Sequence, residues 1–140
     1  MYIRITDQPI SIEEALNQIE LKKLGGIVTF SGVARPTDSS GRALSHLEYE
    51  AYQPMAEQYL AQIGDEVRVR WGVKQIAILH RVGRVEIGEP SLIIATAAEH
   101  RQEAFLACEY ALDTLKKIVP IWKKEVLKTK VFSTEMPSLK

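Results

Sequence analysis

Two apolar runs, Val73-Lys74-Gln75-Ile76-Ala77-Ile78-Leu79-His80 and Ser91-Leu92-Ile93-Ile94-Ala95-Thr96-Ala97-Ala98, decide the fold class. Each has strand length and strand composition. Between them lies no helical segment, only Val82-Gly83-Arg84-Val85-Glu86-Ile87-Gly88-Glu89, which reads as a short strand bounded by glycines. Strands that follow one another without a crossover helix are neighbours of the antiparallel kind. Working outward from this pair, Tyr2–Thr6, Ile27–Val33 and Leu47–Tyr52 are further strands, the last with clean alternation. Ser11 and Glu14 fit a capping box, and Ile12, Ala15, Leu16 and Ile19 carry helical spacing until Gly25-Gly26. Pro54 suits the first turn of a second helix, with Met55, Tyr59, Leu60, Ile63, Val67 and Trp71 as its buried stripe. A third helix runs from near His100 to just before Pro120, since proline disfavours helix in the residue ahead of it. Residues 36–42 form a loop expected to be mobile, and Glu125–Ser133 is read as a closing strand. Single helices among neighbouring strands argue an α+β fold with a mainly antiparallel sheet.

At 140 residues the chain has room for one domain with a proper core, so residues 1–140 are expected to be a single domain. Eighteen basic residues balance eighteen acidic ones, so no global field draws the chain to nucleic acid or to an anionic membrane. Any anion site must therefore be local. No apolar run approaches the roughly 18–20 residues of a membrane helix. The first residues lack a signal-peptide pattern, and the one cysteine, Cys108, excludes an internal disulfide and a CxxC pair. A cytoplasmic protein is the expectation. The histidines have no companions at metal-ligand spacing, so no metal and no cofactor are expected.

The one local concentration of positive charge is Leu115-Lys116-Lys117-Ile118-Val119-Pro120-Ile121-Trp122-Lys123-Lys124-Glu125. At roughly 100° per residue, Phe105, Cys108, Leu112, Leu115 and Val119 share one apolar stripe, widened by Ala104, Ala107, Ala111 and Ile118. Lys116 falls about 20° from Phe105, at the edge of that stripe, whereas Lys117 falls about 120° away on the polar face. Lys116 is then either a partly desolvated amine useful as base or nucleophile, or a snorkelling lysine favoured by the helix dipole. Lys123, beyond the proline and beside Trp122, has the same two readings. Arg35 stands where a strand turns into the loop and can fold over an anion or lie in solvent. His80-Arg81 and His100-Arg101 each follow an apolar strand; a His-Arg pair at a helix start can help hold a phosphate or carboxylate, and can equally be strand-end polarity. Cys108, in mid-stripe, reads as an inert core residue.

In order along the chain, Gly26-Ile27-Val28-Thr29-Phe30-Ser31-Gly32-Val33-Ala34-Arg35, Leu47-Glu48-Tyr49-Glu50-Ala51-Tyr52 with Met55-Ala56, His80-Arg81-Val82-Gly83 with Gly88-Glu89, His100-Arg101 with Ala104-Phe105, and Leu115 to Glu125 resemble the large, catalytic subunits of molybdopterin synthase. The resemblance implies an α/β-hammerhead-type α+β fold and a homodimer. Each protomer would bind a small ubiquitin-like sulfur-carrier subunit, making a heterotetramer. The carrier's C-terminal Gly-Gly, as a thiocarboxylate, would enter a pocket and give its sulfur to cyclic pyranopterin monophosphate, building the molybdopterin dithiolene. The resemblance matches Lys116 and Lys123 to catalytic positions and Phe30, Arg35, His100 and Arg101 to substrate-binding positions. His100 and Arg101 are expected at the phosphate side, with Phe30 walling the slot for the glycine tail. Ala34 departs from a usual valine, Ala98 from a frequent serine, and the tail lacks a glycine–tryptophan pattern. The rival reading is a non-catalytic module of the same fold that docks a ubiquitin-like partner.

Overall fold

The structure, a computed structural model, describes residues 1–20 and 22–128. Along the chain it runs β1 (Tyr2–Thr6), α1 (Ile12–Asn17), β2 (Gly26–Val33), β3 (Leu44–Ala51), α2 (Gln53–Trp71), β4 (Gln75–Arg81), β5 (Gly83–Glu86), β6 (Pro90–Ala98), α3 (Arg101–Ile118) and β7 (Ile121–Leu127). The architecture is α+β, but the strands form two sheets where the sequence reading has one: β1-β4-β6-β2 and β5-β3-β7. All pairings are antiparallel except β1 with β4.

The run that decides the fold class behaves as its pattern implies. β4 and β6 pair antiparallel from Gln75↔Ala97 to His80↔Leu92. Between them the chain leaves for the second sheet, where β5 pairs with β3, and it turns at Gly83 and Gly88, whose φ values of 79° and 88° suit a residue without Cβ. Because side chains alternate along a strand, Ile76 and Ile78 join Leu60, Ile63 and Val67 of α2 and the small face of α3 in one core. Ala77 and Leu79 point the other way, into a second core with Ile10, Ala15 and Ile19. Both faces of β4 and β6 are thus covered, which explains their unbroken apolar runs.

Helix α3 packs through Ala104, Ala107, Cys108, Ala111 and Leu115, all buried. Phe105, assigned to the stripe from its angle, is 60% exposed. Three alanines and a cysteine let the helix lie close to α2 and the sheet, and a phenylalanine on that line would hold it off. The start of α3 is anchored by Thr96 Oγ1, fully buried, which donates to Ala104 O at 2.7 Å. Its end is set by Pro120: Val119 is extended (φ −80°, ψ 127°), and β7 begins at once. The closing strand therefore starts at Ile121, not Glu125; residues 129–133 of the expected span lie outside the described residues.

Other boundaries shift for local reasons. Helix α1 stops at Asn17, well before Gly25-Gly26, because Gln18 N and Ile19 N bond three residues back, to Ala15 O and Leu16 O. That tighter turn carries Ile19 into the core. The glycine pair instead permits close approach, since a Cβ at Gly25 would sit 2.1 Å from Glu99 O and one at Gly26 3.1 Å from Arg101 Cα. The two glycines let β2 start directly beneath the entry to α3. On α2, Ala56 takes the buried place expected for Met55, which is 41% exposed. The 36–42 loop is laced together by the Asp38 carboxylate, which accepts from Ser40 N, Arg42 N and Arg42 Nε.

Candidate functional site

Where the ends of β2 and β4 and the start of β6 meet the exit of α3, a cavity of about 410 Å³ opens. Its position follows from register. Leu92 pairs with Gly32 on one side and His80 on the other, so these three residues form one row across the first sheet. The row lies on the face that α3 covers, as Leu92 belongs to the core under that helix. Leu115, Lys116 and Val119 come from the last turn and cap of α3, Tyr49 from β3, and Ile121 and Lys123 from β7. The turn at Pro120 makes this possible. It reverses the chain so that β7 runs back along β3, with Lys123 opposite Tyr49.

The four lysines of the basic run are sorted by local geometry. Lys116 and Lys123 line the cavity. Lys117 is exposed and lies off it. Lys124, on the other side of the β7 pleat, lies 3.9 Å from Glu48 Oε1. The Glu48 carboxyl is held below its usual range, first by the hydrogen bond with His46 Nε2 and also by the charge of Lys124. Arg35, just past β2, is the third cation around the opening. Lys116 is exposed, as a lysine with its stem along apolar surface and its head at the rim should be.

Phe30 lies one row behind the cavity wall. It pairs with Ile94 and packs against the core, and its ring would come within 3.4 Å of a Cβ at Gly32. The ring thus backs the wall at Gly32 without lining the opening. His100 and Arg101 are elsewhere: both are exposed at the N-terminal end of α3. At 1.5 Å rise per residue, the fifteen residues from Arg101 to Lys116 span about 22 Å. Within one protomer the expected phosphate-side pair and Lys116 belong to opposite ends of one helix.

The wall also contains Tyr49 and Ser91, which the sequence does not single out, and His80, which it offers only as half of a strand-end pair. His80 is 4% exposed and faces Tyr49 edge-on, ring centroids 5.2 Å apart. Burial pushes its pKa down to about 4, so the ring is neutral at neutral pH. Burial likewise raises the Tyr49 phenol, and Ser91 Oγ donates to Gly32 O at 3.3 Å. The signal was the His80-Arg81 pair at a strand end; only the register of β4 against β6 turns it toward the cavity. Cys108 is buried in the core, and burial pushes its thiol up to about 11, so it is not a thiolate. Among the described residues no three His, Cys, Asp or Glu side chains converge on a point that could hold a metal ion, and no helix is long and apolar enough to cross a membrane.

Comparison with known proteins gives a consistent result. The sequence model of the family described as "MoaE protein" matches residues 5–118. The molybdopterin synthase catalytic subunit of Bacillus subtilis is 46% identical over 122 residues, 87% of this chain and 77% of that protein. That of Thermoplasma volcanium is 40% identical over 126 residues, 90% and 91% of the two chains. Among solved structures, the molybdopterin synthase of Staphylococcus aureus superposes with a TM-score of 0.86 at 38% identity, covering 97% of this chain and 94% of that one. A complex of subunits 1 and 2 of the Helicobacter pylori molybdopterin-converting factor shares the fold, with a TM-score of 0.73 at 21% identity over 91% and 86% of the chains.

Proposed function

The chain belongs to the MoaE protein family, and we propose that it is the catalytic subunit of a molybdopterin synthase. In this reading residues 1–140 are one catalytic domain of a cytoplasmic sulfurtransferase. It moves sulfur from the thiocarboxylated C-terminus of a small ubiquitin-like carrier to cyclic pyranopterin monophosphate. The observation that carries the reading is the convergence of Lys116, Lys123 and Arg35 on one cavity of a chain with no net charge. Both reactants are anions, a thiocarboxylate and a cyclic phosphate, and three cations at one opening supply a local field that the whole molecule lacks.

The chemistry divides among these groups. An ammonium beside the thiocarboxylate holds the sulfur nucleophile in place. A second ammonium offers a proton to the oxygen released when the cyclic phosphate opens. Lys116 and Lys123 are assigned these two roles, and Arg35, with a planar fork of donors, is suited to the phosphate. The sulfur is imported: a lone cysteine that is buried and protonated is a poor persulfide carrier.

His100 and Arg101 enter the same reading through a homodimer. Because they lie about 22 Å along α3 from Lys116, they would serve the phosphate side of a partner protomer's cavity rather than their own. Two protomers and two carriers then make the heterotetramer. Reconstitution tests the proposal: purified chain, thiocarboxylated carrier and cyclic pyranopterin monophosphate should yield a product with the mass of molybdopterin. Carrier binding with no product would favour a non-catalytic docking module instead.

A further inference from the structure

The cavity has a polarity gradient that the sulfur-transfer reading does not by itself require. Its cations Arg35 and Lys116 are exposed at the opening and Lys123 is half-buried, whereas His80 and Ser91 are uncharged and buried, and the uncharged Tyr49 is half-buried opposite Lys123. The tautomer of His80 is fixed by its neighbour. Nδ1 lies 2.9 Å from Arg81 O, and a carbonyl oxygen only accepts, so Nδ1 carries the proton. In a neutral ring the lone pair is then on Nε2. Among the described residues Nε2 has no hydrogen-bond partner, and it is not among the polar atoms sealed from solvent. Since the residue as a whole is 4% exposed and lines the cavity, the cavity is what Nε2 opens onto.

We propose that the Nε2 lone pair of His80 forms a subsite that accepts a hydrogen bond from an N–H or O–H of the ligand, while the rim cations hold the ligand's anionic end. This rests on the functional reading above and goes beyond it by assigning an orientation: donor edge inward, charge outward. Around the ring, Arg35 after β2, Lys116 of α3 and Lys123 of β7 are positive; Arg81 beside it on β4 is paired with Glu89 at 3.0 Å, and Glu125 of β7 acts on the uncharged Tyr49 of β3. Burial is what holds the ring neutral at pH 7. A neutral lone pair repels a phosphate or carboxylate placed against it, so the subsite discriminates by hydrogen-bond polarity. The donor can come from either reactant, a ring N–H of the pterin or an amide N–H of the carrier's glycine tail.

The first test uses the unaltered chain. Long-range proton–nitrogen correlation spectra at pH 7 should show His80 protonated on Nδ1 and bare on Nε2. The Nε2 resonance should move on adding cyclic pyranopterin monophosphate if the pterin supplies the donor, or on adding carrier with unmodified Gly-Gly if the tail does. A proton on Nε2, or an Nε2 resonance that neither ligand moves, overturns the proposal. The second test is kinetic. His80→Phe should raise KM for that same ligand about tenfold, with kcat less affected, and His80→Gln, whose amide oxygen can replace the acceptor, should recover most of the loss. A folded His80→Phe chain with both KM values unchanged overturns the subsite while leaving the functional reading intact. An unaltered chain that makes no molybdopterin overturns that reading, and the subsite's role with it.

Discussion

Helix α3 has cations at both ends, and the two ends teach different lessons. At its C-terminus Lys116 sits where the helix dipole favours positive charge, above a cavity that Lys123 and Arg35 also line. At its N-terminus the Arg101 charge stands against the dipole, exposed, beside His100, whose Nε2 lies 3.9 Å from Glu99 Oε1. Local physics accounts for the first arrangement, whereas at the second the helix dipole opposes the Arg101 charge. A cluster of charge is therefore not a site until the tertiary fold supplies a concavity and a second element. Pro120 supplies the second element at one end. At the other, the missing element belongs to a second copy in the dimeric reading.

Substitutions can break this contrast. The largest effect is expected for Lys116→Ala or Lys123→Ala, each lowering turnover about a thousandfold without unfolding, as loss of a proton donor at a reacting centre does. Lys117→Ala, one residue along but off the cavity, should stay within about twofold, measured in the same assay. Equal losses at Lys116 and Lys117 would dissolve the distinction between rim and solvent face.

Next comes a stability effect inside the cavity. The folded-state pKa of His80, about 4, lies below its ordinary value of 6.5. Below pH 6.5 the unfolded chain takes up a proton that the folded chain refuses, so this contribution is full above pH 6.5 and is lost as pH falls toward 4. The loss amounts to at most about 3 kcal/mol. Denaturant melts of the unaltered chain and of His80→Gln across pH 4–7 should differ in slope, the variant being less acid-sensitive.

A smaller effect is expected at the far end of α3. Arg101→Ala should raise KM for the pterin about tenfold, the cost of one lost charged hydrogen bond. If the pair serves a partner's cavity, mixing Arg101→Ala with Lys116→Ala protomers should restore intact sites, about a quarter of the total after random exchange in a twofold dimer. Activity no higher than that of the separate variants would place the N-terminal end outside the site. The smallest effect is expected for Cys108→Ala, with turnover retained and stability lowered by about 1 kcal/mol, read from the melting midpoint. Lost turnover in a folded chain would contradict an imported sulfur.

Much of this was legible because it depends on short-range geometry. Helical phase separates Lys116 from Lys117, proline chemistry ends α3 at the right residue, and the two apolar runs around Gly83 and Gly88 pair as their connection implies. What was not legible depends on partners distant in sequence. No period says that β5 leaves one sheet for another, that β7 starts at Ile121 because β3 is there to pair with it, or that Phe105, unlike Ala104, is left outside the core. The same holds for His80: a strand-end histidine is ordinary until β6 places Leu92 beside it and the row faces the cavity. Phe30 comes from resemblance alone, His100-Arg101 from resemblance and from their place at a helix start, and within one protomer none of the three lines the opening.

The most direct measurement is single-turnover conversion of cyclic pyranopterin monophosphate by thiocarboxylated carrier, followed by mass, for the unaltered chain beside Lys116→Ala and Lys117→Ala. Sulfur-containing product is expected with the unaltered chain and Lys117→Ala, and none on the same timescale with Lys116→Ala. Product formation by Lys116→Ala at the unaltered rate would contradict a catalytic role for the lysine at the cavity rim.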